Sequence, residues 1–265
     1  MTPTLSLTRA NLESWDAYSD AGDFVYAMLL VFTDDDAVLF GKLSKSLEDA
    51  TAEEFHAALA PVSDSTVFPA LPDDPKLTIC PGGEEHSHEH YIKRPDMFTF
   101  ARLGEAAGEH LRETLLDEAL VLHRIAQNPH PNMVRSCGVR VARGRITGLV
   151  IEKHENNLFD HVGLGLPIAD HAAFMDALRA AVEHLHSIGL AHNDLNPYNV
   201  MVSKDGMPVL IDFGSCAEFG ANLTNGGTPG WVENLETYML SEKGNDEYAL
   251  KKVSEWLKAQ VEETV

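Results

Sequence analysis

Apolar positions recur along this chain at two periods, and each period predicts its own set of elements. From 109 to 127, Leu111, Leu115, Ala119, Leu122 and Ile125 return every three or four residues. Side chains at that spacing share one helix face, so a helix with a single buried stripe is predicted. A second helix is predicted over about 170–188. Asp170 serves as its N-cap, Gly189 as its stop, and Phe174, Leu178, Val182 and Leu185 as its stripe. A third, over about 246–260, carries Tyr248, Val253, Trp256 and Leu257.

The remaining apolar runs are short and read as strands. DFVYAMLLVF and AVLFGKL flank three aspartates, Asp34 to Asp36, and predict two strands joined by a turn. The acidic stretch 47–59 predicts a helix. Pro and Gly punctuate 69–90, which reads as loop around a possible short strand, KLTIC, with YIKRP as a further strand ended by its proline. Residues 137–154 read as a hairpin turning at Arg143-Gly144, with its second strand ending near Glu152. Residues 200–202 and 209–211 predict another hairpin around Lys204-Asp205-Gly206. The polar 154–157 reads as a linker.

Composition narrows the function classes. At 265 residues and 44% hydrophobic content the chain can bury a sizeable core. Its formal charge of −21 opposes nucleic acid and anionic membrane as partners. The acidic runs at 34–36 and 47–54 read as solvated faces. Cys80, Cys137 and Cys216 match no zinc spacing and are expected as free thiols in a reducing compartment. The first residues lack a signal-peptide pattern and no apolar run is long enough to span a bilayer, so a cytoplasmic or nuclear location is expected. The histidines of EEHSHEH, 84–90, read as an exposed loop rather than a metal site. The sequence holds no signal for an oligomeric state.

The chemistry concentrates in LAHNDLNPYNVMVSKDGMPVLIDFGSC, residues 190–216. Moving a phosphoryl group from ATP needs Mg²⁺ on the triphosphate, held by hard oxygen ligands. It also needs a carboxylate beside the acceptor hydroxyl. Asp194, Asn199 and Asp212 are those residue types, and the 200–211 hairpin would carry Asn199 and Asp212 side by side.

HNDLNPYN followed by DFG resembles the eukaryotic protein kinase pattern H-R-D-L-x-x-x-N and D-F-G at the usual separation. YIKRP, HPNMVR, RITGLVIEK and GTPGW are similar to small fungal serine/threonine kinase-like proteins. The resemblance covers about 90–258. It implies an α+β, two-lobed fold: a small sheet-containing N-lobe at 90–153 and a mainly helical, shortened C-lobe at 154–265. Residues 1–89 would contribute to or precede the N-lobe.

It further implies Asp194 as catalytic base and Asn199 and Asp212 as Mg²⁺ ligands. Lys93 would pair with the ATP phosphates, held by Glu118, with Glu113 and Asp117 as competitors for that place. Ile151 would be the gatekeeper, and Glu152 to His154 the hinge that meets adenine. Asp246 would brace the catalytic loop, His192 and Phe213 would pack with Leu122, and Thr228 would contact Asp194. ATP and a protein substrate are the implied partners.

Three departures bear on function. No G-x-G-x-x-G precedes Lys93; Gly82-Gly83 offers two glycines but not the loop whose amides cover the phosphates. Asn193 replaces the arginine that reads an activation-loop phosphate. Asn196 stands where a lysine is usual, a feature shared with small-molecule kinases of the aminoglycoside and choline kinase type. Transfer to a serine or threonine hydroxyl on protein is the first expectation. A small-molecule kinase and a non-catalytic binding module are the alternatives.

Overall fold

The computed structural model describes residues 12–19, 21–73, 75–81, 88–224 and 227–262. Gly82-Gly83 and most of EEHSHEH lie outside them. The fold is α+β, and its contacts divide it into two compact units.

The first unit comprises 1–71, 94–115 and 141–148. Strands β1 (Leu12–Tyr18), β2 (Phe24–Phe32), β3 (Val38–Leu43) and β4 (Ala60–Val62) form an antiparallel sheet in chain order. The two strands expected around Asp34–Asp36 are β2 and β3. β2 is buried from Ala27 to Val31, so both faces of this central strand are covered, which explains its unbroken apolar run. The acidic stretch 47–59 is not one helix. A 3-10 turn at Leu47–Asp49 is followed by α1 (Ala52–Ala58), which Thr51 and Glu54 start with a reciprocal capping box. Helices α2 (Asp64–Val67) and α3 (Met97–Leu103) complete the unit's layers, with Phe100 packed edge-on against Phe40.

One expectation here is corrected. Asp36 is not on a solvated face: it is 1% exposed. Arg94 places a guanidinium nitrogen 2.7 Å from Asp36 Oδ1 and donates to the Thr147 carbonyl, while the Thr147 hydroxyl donates to Asp36 Oδ2. A buried carboxylate needs such partners, because an isolated charge is costly to remove from water.

The second unit comprises 72–93, 116–140 and 149–265. Helix α4 (Gly108–Gln127) contains the division and buries all five residues of its predicted stripe. β5 (His90–Lys93) pairs antiparallel with β7 (Arg145–Glu152), in the sheet order β5-β7-β6 with β6 (Ser136–Ala142). The β6–β7 turn falls at Arg143-Gly144 as expected, both at positive φ. β5 is an outer strand of this sheet, and no glycine-rich hairpin of the described residues pairs with it.

Asn156–Asn157 forms β8 and leads into α5 (Leu158–Gly163). Asp170 caps α6 (His171–Ser187), whose stripe of Phe174, Leu178, Val182 and Leu185 is buried. Each such side chain contributes about 1.5–3 kcal/mol on burial. β10 (Val200–Val202) pairs with β8 and with β11 (Pro208–Leu210), and β9 (Leu190–Ala191) with β12 (Ala217–Glu218). Helix α7 is Lys243–Glu262. No helix among the described residues is long and apolar enough to cross a membrane.

The cysteines do not fit the free-thiol expectation. Cys80 and Cys137 form a disulfide, and Cys216 alone is free and buried. The cysteine argument for a reducing compartment therefore falls. KLTIC is not a strand; its backbone makes one parallel bridge, Ile79 with Val139.

Candidate active site

The second unit gathers the motif residues into two hydrogen-bonded clusters. In the first, Lys93 ends β5 and Glu118 sits on the buried side of α4. Lys93 Nζ lies 2.7 Å from Glu118 and 2.8 Å from Asp212 Oδ1. Glu118 also accepts from the Phe213 amide at 3.1 Å, which ties the helix to the Asp-Phe-Gly turn. The competitors Glu113 and Asp117 face solvent.

The charges of this cluster shape one another. Burial alone would lower the Lys93 pKa, but the Glu118 and Asp212 carboxylates beside it drive it above the ordinary lysine value. Burial pushes Glu118, 4% exposed, above the usual carboxylate range, and Asp212 adds to that push against Lys93. Asp212 moves down: burial would raise it, but Lys93 outweighs that on a carboxylate whose side chain remains 45% exposed. Asp212 therefore stays ionised and open on one side.

The second cluster surrounds Asp194. Its Oδ1 accepts from the Thr228 amide at 2.8 Å and from Asn196 Nδ2 at 3.3 Å; its Oδ2 accepts from Asn199 Nδ2 at 3.1 Å. Asn196 Nδ2 also donates to the Thr228 hydroxyl. The expected approach of Thr228 to Asp194 is thus a direct hydrogen bond. Asn199 turns its amide nitrogen toward Asp194, where it also donates to the backbone carbonyl at 2.8 Å. The Ile211 amide donates to the Asn199 carbonyl at 3.0 Å, setting the residue before Asp212 against Asn199.

Beneath these clusters, Asp246 of α7 accepts from the backbone amides of His192 and Asn193 at 2.9 and 2.8 Å. His192 donates through Nε2 to the Ile211 carbonyl, accepts the Asp194 amide at Nδ1, and packs on Phe213 with ring centroids 5.4 Å apart. Asn193 and Asp212 both adopt positive φ, 63° and 60°. Asn and Asp are the non-glycine residues that tolerate this region best.

Sequence reasoning saw Asn193 only as a missing arginine. In the fold its buried amide donates to the carbonyls of Ala191 and Ser215 and to the Ser241 hydroxyl, and accepts from Asn245. Its backbone carbonyl accepts from the Tyr238 hydroxyl. Tyr238, Ser241 and Asn245 were missed because no spacing rule links them to the motif; only a bound Asn193 reveals them.

Ile151, Glu152 and His154 form a separate group at the end of β7. Ile151 is buried opposite Tyr91. The amides of Glu152 and Lys153 donate to the carbonyls of Arg135 and Glu89. The His154 ring is largely buried, its Nε2 4.0 Å from Glu152 Oε2, and burial keeps its pKa below the ordinary histidine value. No hydrogen bond among the described residues joins this group to the carboxylate clusters.

Mg²⁺ uses one or two carboxylates, keeps several waters and shares substrate phosphates. Asp212 with Asn199 fits that demand. No group of three or more His, Cys, Asp or Glu among the described residues suits a protein-only metal cage.

A family model for the protein kinase domain matches residues 102–255. The chain is 37% identical over 70 residues to the serine/threonine-protein kinase AtPK1/AtPK6 of Arabidopsis thaliana, covering 26% of this chain and 15% of that protein. It is 31% identical over 119 residues to cyclin-dependent kinase 4 of Mus musculus, covering 42% of this chain and 39% of that protein. With the serine/threonine-protein kinase PknG of Mycolicibacterium smegmatis it shares 39% over 69 residues, 26% of this chain and 9% of that protein. These matches span well under two thirds of the relatives' own lengths. A paired lysine and helix glutamate, a loop aspartate and asparagine braced from α7, and a family match over more than half the residues lead to one conclusion: the chain belongs to the protein kinase family.

Proposed function

We propose that this protein transfers the γ-phosphoryl group of Mg²⁺-bound ATP to a serine or threonine hydroxyl on a protein. The observation that carries the reading is the joined set Lys93–Glu118–Asp212, an ionised lysine at the end of β5 held at 2.7–2.8 Å between a carboxylate of α4 and one of the Asp-Phe-Gly turn. Burying the Glu118 carboxylate is costly without a cation beside it, and an ordinary surface needs no such arrangement.

Lys93, fixed by Glu118, aligns the phosphates. Asn199 and Asp212 hold Mg²⁺, which neutralises charge on the triphosphate when bound. Ile151, Glu152 and His154 border the adenine. Asp194, with both oxygens already oriented by Thr228, Asn196 and Asn199, positions the acceptor hydroxyl and takes its proton. Positioning and electrostatics then supply nearly all the rate.

Calorimetric titration with Mg·ATP tests the nucleotide half: the native chain binds, and Asp212→Asn weakens binding. Transfer of labelled phosphate to protein and to small hydroxyl acceptors tests the other half. Absence of binding by the folded native chain would sink the reading, and transfer confined to small molecules would replace the acceptor class.

A further inference from the structure

We infer that the Cys80–Cys137 disulfide and Leu77 act as positioning residues for Glu118, holding α4 in place through the segment 75–81. The inference rests on the nucleotide role proposed for Lys93 and Glu118.

The segment lies along β6 as a short parallel addition. The Val139 amide donates to the Thr78 carbonyl at 2.8 Å, and the Cys80 amide donates to the Val139 carbonyl at 3.0 Å. Gly138, at φ 126°, makes the approach possible: a Cβ there would stand 2.3 Å from the Thr78 oxygen. Beside these bonds, Cys80 is tied covalently to Cys137 of β6.

What this segment presents to the helix is Leu77, 5% exposed. Leu77 and Thr78 line a small cavity of about 50 Å³ together with Ala119, Leu122 and Ala126 of α4 and with Val139 and Leu149. Ala119 adjoins Glu118 in the chain. Close packing would hold the helix by itself, but a void at the junction removes some of those contacts. Two backbone hydrogen bonds and the disulfide are left to hold Leu77 in the wall of the cavity it shares with α4.

The tether is also reachable. Cys80 is buried, but Cys137 is partly exposed and lines an open cleft of about 770 Å³ of mixed charge, with Arg135, Lys153 and Lys204 beside Glu89, Glu152, Glu155 and Asp205. A small thiol of the glutathione class enters this cleft and reacts as its thiolate. It attacks Cys137 Sγ, the Sγ–Sγ bond breaks, and Cys80 leaves as a thiolate that takes up a proton. A second small thiol displaces the first from Cys137. Two small thiols are oxidised to their disulfide and the protein gains two thiols. Reduction thereby frees the segment and widens the positions open to α4, and the competent Lys93–Glu118 pairing becomes a smaller fraction of the population.

The full chain is compared oxidised, reduced by glutathione and reoxidised, with the state of Cys80 and Cys137 mapped by alkylation and mass spectrometry. Hydrogen exchange of 108–127 reads the helix without needing activity. Calorimetry reads Mg·ATP affinity, and kinetics read the KM for ATP against that for the acceptor. The expected result is faster exchange in 116–127 and an Mg·ATP affinity lower by about tenfold on reduction, both reversed by oxidation, with acceptor KM unchanged. Cys80→Ser/Cys137→Ser behaves as the reduced protein and ignores glutathione. Leu77→Ala moves ATP affinity in the same direction while its disulfide stays intact.

Unchanged exchange after verified reduction overturns the inference. So does exchange that changes while ATP affinity does not, or protein whose two cysteines remain thiols after oxidation. An oxidised chain that binds no ATP at all defeats the nucleotide reading instead, and the exchange result still judges the tether's hold on α4.

Discussion

Lys93 and Arg94 are adjacent in the chain and enter two different charge networks. Lys93 meets Glu118 and Asp212 in the second unit; Arg94 meets Asp36 and Thr147 in the first. Alternate side chains of an extended segment leave on opposite faces, so one tetrapeptide, Ile92 to Pro95, supplies a cation to each. The two cations have different consequences when removed.

Arg94→Met strands the buried Asp36 carboxylate. Unfolding in urea is expected to show a loss of about 3–5 kcal/mol, the usual result of deleting one partner of a buried pair. Arg94→Met combined with Asp36→Leu should recover most of that loss, because the uncompensated charge is then gone. A double variant no better than the single would mean that the cost lies in packing rather than charge.

Asp194→Asn removes the charge of the proposed base but keeps a side chain of the same size beside Asn199. Turnover is expected to fall on the order of 10²–10⁴-fold, the range for loss of a general base. Mg·ATP affinity by calorimetry should match the native protein. Native-like turnover in this variant would remove Asp194 from the proposed role.

Asn193 tests how the segment after Asp-Phe-Gly is held. Its neutral amide bonds the Ser215 carbonyl directly, where an arginine would have needed a phosphate partner. Activity is therefore expected to be unchanged by phosphatase treatment. Asn193→Gly keeps the positive φ but removes the donor to the Ala191 and Ser215 carbonyls and the Ser241 hydroxyl, at about 1–3 kcal/mol for a buried group left unpaired. Thermal unfolding and turnover measured on the same samples check both statements.

Stability should also depend on pH through His154 and His130. Burial holds both below the ordinary histidine value, with Glu152 opposing the shift in His154 and His184 adding to it in His130. The unfolded chain takes up these protons as pH falls through about 6.5, while the folded protein resists. Their contribution is flat above that value, and stability falls below it. Urea midpoints measured from pH 8 to 5 should decline on the acid side, and His154→Phe with His130→Asn should flatten part of that slope.

What the sequence by itself determined is whatever lies within a few residues or repeats at a fixed period. The stripe from Leu111 to Ile125 located α4, and Asp170 with Gly189 bounded α6, because a helix brings residues three and four apart onto one face. The Arg143-Gly144 turn located the β6–β7 hairpin. Asn199 meets the residue before Asp212 because one short hairpin, β10–β11, lies between them.

Tertiary structure decided the partners of groups that no period connects. Cys80 finds Cys137 across 57 residues because two backbone hydrogen bonds and Gly138 lay 75–81 on β6. Asp36 leaves the surface because Thr147, 111 positions away, and Arg94 satisfy its charge. Asn193 becomes a hub because Tyr238, Ser241 and Asn245 return to it from the far end of the chain. A cysteine, an aspartate or an asparagine reads alike in sequence whether buried or solvated; what separates the cases is whether the folded chain delivers a partner that offsets the cost of leaving water.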